Sequence, residues 1–439
     1  MRDMPPPRRL SLTLIRNLKP NAPTLRRLPA AALTAAAGFL LNSAGCPPVT
    51  PTPPDDSGLP FLDQDGNFTF DKATPVALQR SSIAFRGQVS GSDDLDLYNI
   101  GELKAGDGIT VDVQSDGGDL DCVLALLDSR QQLIAFNDDR IPDGSDLNPR
   151  LSITLPGGQS GFFIGVTSFP GSTGTGKYTI TIDVSPDGDT PSGTPQVVYL
   201  DFRGGEGIEV PNVGTFTLKP LDASDFGSGF AGKTAAIASA MAAEVRDAYA
   251  GLNLSVITSD ERDTPPSGDH STVFFGGFDE RAFAISESID TFNADKNDRA
   301  IVFTESFGGR AFSKTPTQDE LVQALGNTVA HEIGHLLGLV HTADCADLMD
   351  STCGNNRILE PQAFKNGVLD PMVFPVGSQD SDERLAWILG ASDTARGKPS
   401  ARSLAAGAAA PAARSALEPP RCACRKHAGH AHVAVAPTH

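Results

Sequence analysis

The sequence predicts two folded domains in series, an all-β sandwich followed by an α+β domain, set between unstructured ends. Three observations carry this expectation. The 439 residues exceed what one ordinary core organises. Short apolar or alternating runs repeat over residues 81–183, each bounded by Gly, Asp, Ser or Pro, as strands joined by turns do. Beyond a second Pro- and Gly-containing break, SPDGDTPSGTP, the pattern changes to strands mixed with helical periodicities.

The first 46 residues read as an export signal. Arg26 and Arg27 precede the apolar stretch 28–41 (LPAAALTAAAGFLL), which is too short to stay as a membrane-spanning helix. Asn42, Ser43, Ala44, Gly45 and Cys46 follow. Small residues before a cysteine resemble the bacterial lipoprotein signal, which implies a lipid on Cys46 and a tethered protein; Ser43 departs from the usual Leu there, and ordinary cleavage nearby is the alternative. The expected location is the cell envelope, through that anchor, or the extracellular space. Residues 47–74, opening with PPVTPTPPDDSGLP, form a Pro-rich linker.

Charge narrows the partners. The chain carries −19 overall, yet its ends are basic: residues 1–45 and 396–439 each hold seven Lys and Arg against one acid. Removing them leaves 21 basic against 52 acidic residues, a formal −31 on residues 46–395. Such a body repels nucleic acid. Excess acid is the composition of a solvated surface, and it also suits calcium binding outside the cell.

Residues 75–186 contain the runs IAFRGQV, LDLYNI, GITVDVQ, CVLALLD, QQLIAF, LSITL, GFFIGVT and KYTITI, the pattern of a β-sandwich. The strings DDLDLYNIGELKAGDGITVDV, LDCVLALLDSRQQLIAFNDD and GFFIGVTSFPGSTGTGKYTITI resemble the bacterial pre-peptidase C-terminal (PPC) domain, a small jelly-roll-like module. That resemblance implies an accessory role beside a secreted peptidase, in some members with calcium or substrate-surface binding. Asp93, Asp94, Asp96, Asp119, Asp121, Asp138 and Asp139 sit at expected strand ends, where they are either turn formers or, if they converge, Ca2+ ligands. Cys122 falls inside a strand and is expected in the core.

After a linker at 187–195, residues 196–392 open with the strand VVYLDF, then an Ala-rich helix over 233–250, then the strands LSVIT, TVFFGG and AIVFTE. Thr317 with Glu320 three residues on forms a capping box. From there Leu321, Val322, Leu325, Val329, Ile333 and Leu336 mark the buried face of a helix reaching about Gly338. On it lies HEIGHLLGLVH. His331 and His335, four apart, project from the same side, so both imidazoles reach one ion. Gly338 lets the chain turn sharply and return His341 as a third ligand. Three neutral nitrogens leave a position open on a single catalytic zinc, whose bound water becomes acidic, with Glu332 beside it as general base.

This motif resembles the signature of metzincin zinc metallopeptidases. The resemblance implies a methionine in a tight turn below the metal; Met349 in DLMDS is preferred to Met372 in DPMVFP because it stands closer to His341. Ser351 occupies a position where some branches carry a metal-reaching tyrosine, so the matrixin-like branches are nearer. SQDSDERLAWILG, with Ser381 as N-cap, resembles their closing helix, and AIVFTE would be the edge strand along which an extended peptide substrate lies. Cys345 and Cys353 flank a short loop just past His341 and form the candidate disulfide. The tail 393–439 is too biased in composition for a core and is expected to be disordered; its Cys422, Cys424, His427, His430 and His432 are a loose metal-binding option. Two readings of function follow: an exported zinc endopeptidase acting on proteins or peptides, or an envelope-bound adhesion or carbohydrate-binding protein with a latent metzincin domain.

Overall fold

The computed structural model describes residues 58–392, apart from residues 65, 79–81, 142–144 and 310, together with the backbone of His432–Val435. The export segment with Cys46 lies outside the described residues, as do Cys422, Cys424, His427 and His430.

The first part is a two-sheet sandwich. Its strands are β1 (Thr74–Pro75), β2 (Ser82–Val89), β3 (Leu95–Leu103), β4 (Gly108–Ser115), β5 (Cys122–Asp128), β6 (Leu133–Asn137), β7 (Arg150–Thr154), β8 (Gln159–Ser168) and β9 (Gly176–Ser185). They form the sheets β1-β3-β8-β5-β6 and β2-β9-β4-β7. Each of the eight repeated runs in the sequence becomes one strand from β2 to β9. Alternation turns Phe85, Ile109, Val111, Leu124, Leu126 and Ile164 inward to a common core that also holds Cys122. Within it the Tyr178 hydroxyl donates to Asp96 at 2.6 Å and lies 2.8 Å from the Tyr98 hydroxyl. The folded region starts before residue 75: Leu62 N donates to Arg86 O, and Phe70 meets Phe163 edge-on at 5.1 Å. Apolar residues scattered among prolines and acids carry no strand period, so the sequence by itself reads as linker to 74.

The second part comprises β10 (Gln196–Asp201), the hairpin β11 (Gly205–Val210) and β12 (Gly214–Leu218), α1 (Thr234–Ala248), β13 (Leu254–Thr258), β14 (Ser271–Phe275), β15 (Ala282–Ser286), β16 (Arg299–Val302), α2 (Gln318–Leu336), the short pair β17 (Asn366–Val368) and β18 (Ser378–Asp380), α3 (Ser381–Leu389) and β19 (His432–Val435). The main sheet runs β13-β10-β14-β16-β15-β19. The first four of these are parallel, and β15 is antiparallel to β16. Helices α1 and α2 cover it through Met241, Val245, Leu325 and Val329, packed with Val198 and Val302.

Three expectations are corrected here. AIVFTE is not an edge: β16 pairs with β14 on one side and β15 on the other, and Ala300, Ile301 and Val302 are fully buried. A short apolar run reads the same at a sheet's centre or margin. β15, AFAIS, lies beyond β16 and is paired antiparallel on its other side by β19, so the tail 393–439, expected without structure, includes one described strand. The N-cap of α3 is Asp380, which accepts from Glu383 N, rather than Ser381.

The two parts share a core and form one compact unit. Leu97, Leu127 and Phe163 of the sandwich cluster with Val340, Leu369 and Phe374 of the second part. Phe374 lies so near the sandwich backbone that a Cβ on Gly165 would come within 2.6 Å of its ring.

Candidate metal centre

The capping box forms as read from the sequence, with Thr317 Oγ1 accepting from Glu320 N and Glu320 Oε2 accepting from Thr317 N at 2.8 Å. It starts the helix in a register that buries both histidines. The helix closes at Leu336, and Gly338, at φ 90°, makes the left-handed turn that a side chain resists. Its neighbours leave no room either, since a Cβ would stand 2.7 Å from Asp290 O and 2.9 Å from Phe292 N.

That turn brings His341 back to the helix. The three Nε2 atoms form a triangle: His331 to His335 3.0 Å, His331 to His341 3.1 Å, His335 to His341 3.1 Å. His331 Nδ1 is 2.8 Å from Leu348 O and His335 Nδ1 is 2.8 Å from Leu339 O. A carbonyl only accepts, so Nδ1 of His331 and of His335 carries the proton and the Nε2 of each presents a lone pair toward the other and toward His341. Lone pairs pointed at one another repel unless a cation stands between them. The separations are below twice a zinc–nitrogen bond of about 2.0–2.1 Å, so one ion reaches all three. Burial also lowers the His331 pKa and favours the neutral, ligating form. The residues present therefore fit a metal ion.

Glu332 is wholly buried beside them. Its Oε2 accepts from the Ser286 hydroxyl at 2.6 Å, while Oε1 has no hydrogen-bond partner. Burial, opposed by the Ser286 bond, pushes its pKa up to about 8. Ser286 ends β15, and nothing in AFAIS distinguishes it from an ordinary strand serine.

Met349 is fully buried under α2, and Met372 is 39% exposed, far from such a role. A Cβ on Gly334, between the two helical histidines, would lie 2.7 Å from Met349 Sδ. Its turn is organised by buried Asp347, which accepts from Thr342 Oγ1, Met349 N and Lys365 N. Cys345 and Cys353 are joined with Cα atoms 5.6 Å apart. They and Asp350 form a second close group of metal-type side chains, but a disulfide leaves no thiolate to ligate. Cys353 lines a cleft beside His331 with Thr328, Leu348, Ser351, Ile358 and Gln362. The Ser351 hydroxyl donates to Asp370.

Among the described residues the seven sandwich aspartates do not come together as a cluster able to share an ion. Asp94 accepts from the Ser90 backbone and hydroxyl as a turn former, Asp138 caps Asp139 N, and Asp96 bonds Tyr178.

No known protein family and no curated protein matches the chain by sequence. Among solved structures, it is similar to PliG of Aeromonas hydrophila, a periplasmic inhibitor of g-type lysozyme, with 19% identity and TM-score 0.21 over 26% of this chain and 97% of that one. It is also similar to the pre-peptidase C-terminal domain of a Bacillus anthracis collagenase, with 14% identity and TM-score 0.20 over 25% and 94%.

Proposed function

We propose that this protein is an exported zinc-dependent endopeptidase of the metzincin type, tethered through Cys46. The observation that carries the reading is the triangle of three Nε2 atoms within 3.1 Å of one another beside a buried glutamate with one unpartnered oxygen. His331, His335 and His341 would hold the ion, which when bound polarises a carbonyl and acidifies water. Glu332 Oε1 is free to take the proton of the attacking water and return it to the leaving nitrogen, while the Ser286 hydroxyl fixes the other oxygen. A substrate would lie extended along β15; the antiparallel pairing of the chain's own β19 there supports an edge able to take an extended strand. The cleft beside His331 would receive the side chain next to the scissile bond, and the disulfide braces its wall.

The test is zinc content and cleavage of casein or gelatin by the purified protein, with and without chelator, alongside Glu332→Gln. The reading expects one zinc per chain, chelator-sensitive cleavage, and a variant that keeps zinc but loses at least about a hundredfold in rate. Full activity in the variant would overturn the assignment of Glu332. Zinc uptake without cleavage of a broad peptide library would favour the adhesion reading.

A further inference from the structure

Arg384 on α3 is 3% exposed, and its guanidinium spans the boundary between the two parts of the molecule. On the sandwich side Nη1 donates to Leu133 O at 2.6 Å and Ile134 O at 2.8 Å, both on β6. On the other side Nη2 donates to Gly338 O at 3.0 Å, in the turn between the second and third histidines, and the group stands 5.9 Å from the centre of the Phe292 ring. Burial lowers its pKa only to about 10, so it remains a cation at neutral pH. A charge this deep is costly unless strong acceptors surround it, and backbone carbonyls meet both Nη atoms here while Nε has no hydrogen-bond partner.

The rest of that turn is held from the same direction. Gln379, fully buried, clamps Val340 at both ends, its Oε1 accepting from Val340 N and its Nε2 donating to Val340 O, each at 2.9 Å. Asp370 N donates to His341 O at 3.1 Å. Val340 itself packs in the shared core against the sandwich. His341 is thus delivered by a loop whose backbone is gripped by the 370–384 segment, and that segment is bolted to the sandwich.

We propose that the sandwich is a working part of the metal centre, and that Arg384 is the positioning residue through which it sets the Gly338 turn and so the reach of His341. The inference rests on the three histidines binding a metal and does not depend on peptide hydrolysis. Removal of the guanidinium leaves the Gly338 carbonyl without its donor and lets the turn relax, which weakens the third ligand bond before the fold is lost.

The experiment measures zinc affinity by chelator competition on the full chain, for wild type, Arg384→Met and Arg384→Lys, with the melting temperature of each zinc-free protein. Arg384→Met should bind zinc about 10- to 100-fold more weakly at temperatures where it remains folded. Arg384→Lys, which restores a charged donor but not the fork, should recover part of that loss. A role confined to stability would lower the zinc-free melting temperature and leave zinc affinity unchanged, and that result would overturn the proposal. A second measurement covers the case in which the Met variant fails to fold: in wild type, zinc should slow amide exchange in β6 as well as around residues 331–341, because coupling between sites is reciprocal. Protection confined to the histidine region would overturn it equally. A wild-type chain that takes up no zinc would remove the metal reading and this inference together, whereas zinc uptake with an unaltered Arg384→Met affinity would remove this inference alone.

Discussion

Two residues at the histidine site, Ser286 and Gly338, and one in the sandwich, Asp96, each make a separable prediction. Ser286 donates to Glu332 Oε2 from the end of β15. Ser286→Ala should lower kcat by about 10- to 100-fold with zinc retained and KM little changed. A fall in zinc content instead would make Ser286 a structural support only. Gly338 has φ 90° and backbone within 3.0 Å of any Cβ, so Gly338→Ala should destabilise the chain by more than about 1 kcal/mol and weaken zinc binding, as read by denaturant melts and chelator competition. Asp96 belongs to the sandwich and titrates apart from the three histidines. Burial raises its pKa to about 8, with the Tyr178 bond opposing and Asp63 adding to the rise. The folded state therefore binds a proton that the unfolded chain releases near pH 3.9; the stabilisation is complete below that value and is lost as pH rises through about 8. Asp96→Asn cannot ionise and should flatten the fall in melting temperature between pH 5 and 9. An equal fall in both proteins would show that Asp96 does not govern it.

At the scale of elements, the strands and helices with a clear period were legible in the sequence. The eight runs that became β2 to β9 alternate or stay apolar between turn residues, and the helix that carries His331 and His335 announces itself by its capping box and by apolar residues three and four apart. The histidines were legible for the same reason, since their spacing is helical geometry and needs no tertiary contact. What escaped was decided by neighbours. AFAIS and AIVFTE are both short and apolar, and only pairing shows that the second lies between β14 and β15 while the first lies beyond it, against β19. Arg384 in SDERLAWILG looks like one more solvated charge until the sandwich closes over it. Deletion of 393–439 removes β19 from β15, and an intramolecular strand competes at an effective concentration of about millimolar. The truncated chain should show a lower KM for extended peptides with unchanged zinc content. An unchanged KM would mean that β19 does not occupy the substrate edge in solution.

Across the whole molecule, the shared core makes the sandwich and the part that carries the three histidines interdependent. Phe374 is fully buried among residues of both, against the Gly165 backbone and beside Leu97. The chain's only tryptophan, Trp387, stands on α3 against the sandwich core, so its fluorescence reports the junction without a label. Two domains on a flexible linker would unfold separately, whereas parts that each leave an apolar face bare when separated unfold together. Heating should therefore give one transition, with tryptophan fluorescence and far-ultraviolet circular dichroism coinciding. Zinc held by the three histidines would bind only the native arrangement and should raise both signals by the same amount. Phe374→Ala empties a site lined from both sides and should cost about 3–5 kcal/mol, moving both signals down together. If the dichroism of the sandwich survived to higher temperature while the tryptophan signal fell early, the parts would be independently stable, and the coupling through Arg384 would lose the rigid support it requires.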